Sequence, residues 1–407
     1  MKLTYYKQKD EPLNYFQTDE QIEIPESFTL KPFRAFWVSN VMNIDLPTTE
    51  NANKYREAVI KMLDTAVEFN MTAIFFQVRT TMDAFYESKL NPYSRFLTGQ
   101  EGKKPPFNVM DFVIKETKKR NLEFHAWCNP YRVSMGHKGS VEAYYETCDD
   151  LNFAKQNQDL TLVDTNGQII LNPAKDKVKQ FIIDSMVELA RNFPVDGIHF
   201  DDYFYPYAGL KEGFDDQADF NQRADQSQTL GDFRRNHVTD VIKGVYKVLK
   251  NARPNLRFGV SPFGIWKNKV NDPLGSNTEE ACSQSFDNQY ADTYTWVKEG
   301  YMDYVVPQIY WEFGHKIAPH ADILRWWVDL CKDSKVDLYI GHATYRLGQT
   351  GEFENPNEIV NQVKFANQFE TVKGNVFFTY KTFIDKEAPF EGIQRLKKLF
   401  TEGDCNG

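Results

Sequence analysis

The most constraining feature of this chain is an alternation that repeats eight times after Pro32: a short apolar run, then a longer stretch with helical spacing of its apolar residues. The apolar runs cover residues 33–38, 73–78, 122–128, 197–200, 256–260, 304–309, 337–340 and 375–379. The stretches between them predict helices over 53–69, 109–119, 177–192, 230–251, 292–299, 318–331, 358–368 and 391–400. Runs that are apolar throughout suit strands covered on both faces, which is the condition of a parallel sheet. Eight such units predict an α/β fold, a closed (β/α)8 TIM barrel. An open doubly wound sheet would need a glycine-rich first turn, and Ser39-Asn40-Val41 offers none.

Two segments fall outside that pattern. Residues 133–173 are too many for a plain βα loop. Within them 161–164 and 168–171 flank Asn166-Gly167, a hairpin signal, so a small β excursion over the strand ends is expected after strand three. Residues 1–30 read as an irregular lead-in, leaving a single barrel domain over 31–402. A length of 407 residues is within the reach of one barrel with insertions.

In such a barrel the chemistry sits where strands end. Those positions hold Trp37 and Ser39, then Gln77 and Arg79, then Trp127, Asn129 and Arg132. Next come Asp201, Asp202 and Tyr203, followed by Ser261 and Trp266. The ring is completed by Gln308, Tyr310 and Trp311, Tyr345 and Arg346, and Tyr380. Amides and guanidinium groups pair with hydroxyls or an acetamido group, and Trp and Tyr offer flat apolar faces, so a carbohydrate ligand is expected. The strongest local signal is Asp201-Asp202. Adjacent carboxylates repel, and a pocket needing one charged and one protonated carboxyl would want them.

Two routes for glycosidic cleavage follow. In one, the 2-acetamido group of the substrate is the nucleophile, Asp201 orients it, and Asp202 protonates the leaving oxygen. In the other, Glu312 supplies a distant base for inversion. A non-catalytic glycan-binding barrel stays open beside both. So does a metal-dependent hydrolase divided among His125, His199 and His342, although no HxH or HExxH spacing is present. The chain carries no P-loop or GxSxG elbow, and no metal or cofactor is expected.

Composition narrows the partners. The net charge is −9 and no basic block offsets it, which argues against nucleic acid and anionic membranes. No stretch approaches a membrane span. The five cysteines, Cys128, Cys148, Cys282, Cys331 and Cys405, lack CxxC spacing, so no disulfide framework is expected. Met1 to Glu20 holds no apolar signal core. The chain is expected to be cytoplasmic if complete, and exported or envelope-bound if a leader has been removed.

Six segments carry a family resemblance: Phe33-Arg34-Ala35-Phe36-Trp37-Val38, Phe76-Gln77-Val78-Arg79, Trp127-Cys128-Asn129-Pro130-Tyr131-Arg132, Gly197 to Pro206, Gly259 to Trp266, and Pro307-Gln308-Ile309-Tyr310-Trp311. In this order they resemble the bacterial glycosyl-hydrolase-like 10 family. The resemblance implies a TIM-barrel glycoside hydrolase, with N-acetylated, peptidoglycan-type glycan strands as its substrate class. It also implies that related proteins are commonly exported or lipid-anchored.

Overall fold

Phe33–Val38 (β1) and Ala73–Arg79 (β2) contain no exposed residue. Strands buried on both faces need a layer on each side, and the chain supplies helices outside and side chains inside. The remaining strands are Glu123–Cys128 (β3), Thr161–Val163 (β4), Ile169–Leu171 (β5), Gly197–Phe200 (β6), Arg257–Val260 (β7), Tyr304–Val305 (β8), Asp337–His342 (β9) and Val372–Phe377 (β10). Eight of them form a closed parallel barrel in the order β1-β10-β9-β8-β7-β6-β3-β2. Closure is made at β1, where Phe33 lies opposite Gly374 on one side and Ala35 opposite Ala73 on the other. This computed structural model describes residues 1–48, 50–387 and 389–403, and Cys405 lies outside them. The four described cysteines are free.

The helices form for local reasons and dock for collective ones. Ala52–Glu68 starts where the Asn51 side chain accepts from the amides of Asn53 and Lys54, and it buries Tyr55, Val59, Met62, Leu63 and Ala66 along one stripe. Leu230–Ala252 starts with a capping box between Thr229 and Asp232. Such stripes build the outer core between helices and sheet. A separate inner core of Phe33, Ala35, Trp37, Ala73, Phe75, Trp127, Tyr304, Val306, Tyr339 and Val376 fills the barrel itself. Its members follow the period of two along each strand, so the inward side of the next turn upward becomes the floor of the site.

One strand is shorter than its sequence predicts. The run 304–309 pairs as a ladder only at Tyr304–Val305. Pro307 has no amide proton to donate, and beyond it the chain makes single bridges from Gln308 to Phe263 and Gly341. The last strand runs from Val372 to Phe377, earlier than the predicted 375–379. β4 and β5 pair antiparallel, with Gly167 at φ +79° in their turn, and Ile170 bridges to Arg132.

The first 24 residues are tied together by backbone bonds such as Leu3 N–H to Ile22 O (2.9 Å) and Ile22 N–H to Leu13 O (2.8 Å). Leu3, Leu13, Ile22 and Ile24 are buried in the outer core. The Tyr6 amide donates to Glu352 and the Phe16 amide to Asp322. Among the described residues, no helix is long and apolar enough to cross a membrane.

Candidate active site

A cavity of about 320 Å³ opens at the C-terminal ends of the barrel strands, with Asp201 and Asp202 in its wall. Both carboxyls are almost fully buried. β6 ends at Phe200, and the chain then leaves strand geometry, which lets two neighbouring side chains reach one cavity instead of opposite faces of a sheet.

Their surroundings differ. The Asp201 carboxylate accepts from the Asn129 side-chain amide, from Trp127 Nε1 (3.3 Å) and from the Tyr203 amide (3.2 Å). The Arg132 guanidinium stands 3.8 Å away and lies over the Tyr203 ring. Burial raises Asp201 above the ordinary carboxylate range, and Arg132, Tyr203, Asn129 and Trp127 pull it back. Asp202 accepts from the Tyr207 hydroxyl. It is pushed up to about 7 by burial and by the Asp201 charge, against the side-chain bonds of Tyr207 and Gln308. Two carboxyls in one apolar cavity cannot both ionise cheaply. The donors gathered on Asp201 favour the charge there over Asp202.

Asn129 is itself positioned by a buried relay. The Gln77 Nε2 donates to Asn129 Oδ1 (2.7 Å), while Gln77 Oε1 accepts from the amides of Asn40 and Val41 (both 2.8 Å). Arg79 donates to the carbonyls of Asn129 and Pro130. The loops after β1, β2 and β3 are thereby locked to one carboxylate.

Most of the strand-end residues singled out from the sequence line the cavity, among them Trp37, Trp127, Arg132, Asp201, Asp202, Tyr203, Gln308, Tyr310 and Tyr345. Ser39 and Ser261 do so as well. Gln77, Arg79 and Asn129 are fully buried under the wall, not in it. Trp311 packs edge-on against Phe263 at 5.4 Å, beside the cavity. Trp266 lies apart from it, its indole N–H on Asp292 (3.1 Å) and its ring stacked on Tyr294 and Trp326.

Glu312 is also absent from the lining, with its carboxylate 3.7 Å from Arg346. His125 bonds to Glu123 and to Tyr304, which it shares with His199, whereas His342 bonds to Gln362 and Asn375. Among the described residues, no group of three or more His, Cys, Asp or Glu side chains is placed to hold a metal ion.

Sequence reasoning missed Tyr207, Phe378, Val41, Ile44 and Met135 in the lining. Phe378 was within reach of pattern reading, because it continues the inward positions Gly374 and Val376 of β10. Tyr207 gave no such signal. It returns to Asp202 only through the loop past Pro206.

Residues 32–358 match the family model described as glycosyl hydrolase-like 10. The chain belongs to this family. Among its relatives, it is 37% identical to glycosyl hydrolase YngK of Bacillus subtilis, over 86% of this chain and 68% of that protein. It is 33% identical to glycosyl hydrolase DigH of Escherichia coli K12, over 90% of this chain and 87% of that protein. In three dimensions it is similar to the PgaB (BpsB) glycoside hydrolase domain from Bordetella bronchiseptica, with a TM-score of 0.55 at 9% identity, covering 91% of this chain and 99% of that one. It is also similar to alpha-L-fucosidase isoenzyme 2 from Paenibacillus thiaminolyticus, with a TM-score of 0.52 at 11% identity, covering 92% of this chain and 49% of that one. The likeness to solved structures is one of fold, a TIM barrel.

Proposed function

We propose that this member of the glycosyl hydrolase-like 10 family cleaves glycosidic bonds in N-acetylhexosamine-containing oligo- or polysaccharides of the peptidoglycan type. The observation that carries the reading is the unequal pair in one aromatic cavity, a charge-holding Asp201 beside a proton-holding Asp202. Asp202, raised to about 7 by burial and its neighbour, suits a general acid that protonates the leaving oxygen. Asp201, held by Asn129, Trp127 and the Tyr203 amide, suits the group that orients and polarises the substrate acetamide. Adjacency supports this division of labour. Two neighbours on one strand end reach the same side of a sugar, whereas an inverting pair needs carboxyls far enough apart to admit water. Glu312, the alternative base, stands outside the lining. Trp37, Trp127, Tyr203, Tyr310 and Tyr345 would hold the sugar faces, and Arg132 and Gln308 its polar substituents.

The test is turnover of chitooligosaccharides and of peptide-free peptidoglycan glycans, read by mass spectrometry for the wild type and Asp202→Asn. Cleavage by the wild type alone, with glycan binding kept in the variant, is the expected result. Binding without cleavage by either protein would replace the reading with a glycan-binding barrel, and equal cleavage by both would remove Asp202 from the chemistry.

A further inference from the structure

A hydrogen-bonded chain crosses the barrel from its N-terminal end to the cavity floor. Glu123, the first residue of β3, has Oε2 3.0 Å from His125 Nε2. His125 Nδ1 is 2.9 Å from the Tyr304 hydroxyl, which is 3.4 Å from His199 Nδ1. His199 Nε2 then meets Trp37 Nε1 at 3.3 Å and Ser261 Oγ at 2.9 Å. Trp37 and Ser261 both line the cavity. Two glycines vacate the space this chain occupies. A Cβ on Gly197 would lie 2.2 Å from His125 Nδ1, and one on Gly259 would lie 2.1 Å from the Tyr304 ring. The barrel interior thus gives up apolar filling at two strands to admit a polar column.

The direction of every bond in the column follows from its ends. An indole N–H only donates, so His199 Nε2 carries a lone pair and Nδ1 carries the proton. That proton goes to the Tyr304 oxygen, whose own proton goes to His125 Nδ1. His125 Nε2–H then donates to Glu123, a carboxylate that His125 itself holds below its ordinary value. Both imidazoles are fully buried, and burial keeps His199 well below its ordinary value, hence neutral. Ser261 Oγ has a second neighbour, the Phe200 carbonyl at 3.5 Å, and this also only accepts. Of the two donors that face the one Nε2 lone pair, Ser261 Oγ at 2.9 Å is nearer than Trp37 Nε1 at 3.3 Å, so the serine proton is directed at His199 and its oxygen lone pairs are left for the cavity.

We infer that Ser261 acts as a hydrogen-bond acceptor in the cavity floor, selecting a ligand that presents an N–H or O–H at that point, and that the Nε2 lone pair of His199, fixed by the Trp37 indole at one end and the Glu123–His125–Tyr304 column at the other, sets this polarity. The choice of ligand rests on the glycan reading above, where an acetamido N–H or a ring hydroxyl is such a donor. Ser261 would touch the sugar directly, and His199 and Tyr304 are positioning residues that act through it.

Nitrogen NMR on histidine-labelled protein reads the polarity without any ligand. His199, assigned by the signals lost in His199→Gln, is expected as the neutral Nδ1–H tautomer, and Tyr304→Phe, which leaves the Trp37 indole N–H facing Nε2, is expected to keep that tautomer. An Nε2–H tautomer in the wild type would overturn the column. For the ligand, di-N-acetylchitobiose binding is measured by calorimetry in an Asp202→Asn background. Ser261→Ala is expected to weaken it roughly five- to tenfold and Ser261→Thr to restore it. Unchanged affinity in Ser261→Ala would overturn the acceptor role. A cavity that bound no chitobiose would sink the glycan reading and the ligand assigned to Ser261, while the tautomer would still decide the column.

Discussion

Two buried carboxyls, at the cavity and at the flank of the barrel, show what burial does and does not accomplish. Asp202 is raised to about 7 and Glu358 to about 8, in both cases chiefly by desolvation. Glu358 opens the helix Glu358–Asn367, where the helix dipole favours a negative charge, yet its side chain is sealed against Phe313 and Gln362. It accepts from the Phe313 amide at 2.9 Å and from Gln362 Nε2 at 3.0 Å, and it is absent from the lining of the cavity that Asp202 borders. Asp202 is raised beside a void of about 320 Å³, with the Asp201 carboxyl as its neighbour. A raised carboxyl marks a place where water is excluded, which is as true of a packed core as of a reaction site. Access for a substrate separates the two, because Glu358 also has carboxylates nearby, Glu352 and Glu312, that push it up.

The comparison breaks first on turnover. Asp202→Asn is expected to lower kcat on the order of 10²–10⁴-fold, because the amide has no proton to transfer. Glu358→Gln, an equally conservative exchange at an equally buried carboxyl, is expected to leave kcat unchanged. Steady-state rates on chitooligosaccharides check both, and similar losses in the two variants would mean that burial rather than access is the relevant property. Asn129→Ala comes next. It strips a donor from Asp201, whose protonated form then competes with the charged one, and kcat is expected to fall roughly tenfold or more.

The pH profile sharpens the assignment further. A general acid works in its protonated form, so kcat is expected to decline as pH rises through about 7. The Tyr207 hydroxyl stabilises the Asp202 carboxylate and thereby lowers its pKa. Tyr207→Phe is therefore expected to move that alkaline limb to higher pH, with a smaller loss of rate than Asn129→Ala. A limb that stayed in place would detach Tyr207 from the proton of Asp202.

How much of this was legible beforehand follows a physical rule. Strand interiors write themselves in the sequence, because a residue buried on both faces must be apolar, and Phe33–Val38 was read to the residue. Pro307 hid the shortness of β8, since an apolar run does not report a missing amide donor. At the site, positions reached by counting in twos along a strand were found, Trp37, Trp127 and Gln308 among them. Polar strand ends were harder. Gln77 and Arg79 carry the same side-chain chemistry as cavity residues but spend it on the backbone of neighbouring loops. Trp266 sits one residue off that periodicity in a loop of its own and turns to Tyr294 and Trp326. Loop geometry is set by tertiary contacts, and Tyr207 shows that a decisive donor arrives by that route.

The flank carboxyl gives the smallest effect on turnover and the clearest one on stability. Glu358 binds its proton more tightly in the folded chain, at about 8 against an ordinary value of 4.5. A raised folded value means that the native state holds more protons than the unfolded one between those limits. Its contribution is fully present below the unfolded value and is lost as pH rises through the folded one, at a rate of at most about 1.4 kcal/mol per pH unit. Glutamine has no proton to lose and keeps the acceptor oxygen for Phe313 and Gln362. Urea unfolding of wild type and Glu358→Gln from about pH 5 to 8 should therefore show the variant gaining on the wild type as pH rises. A constant difference would mean that Glu358 is charged in the folded protein, and that of the two carboxyls compared only Asp202 is the raised acid.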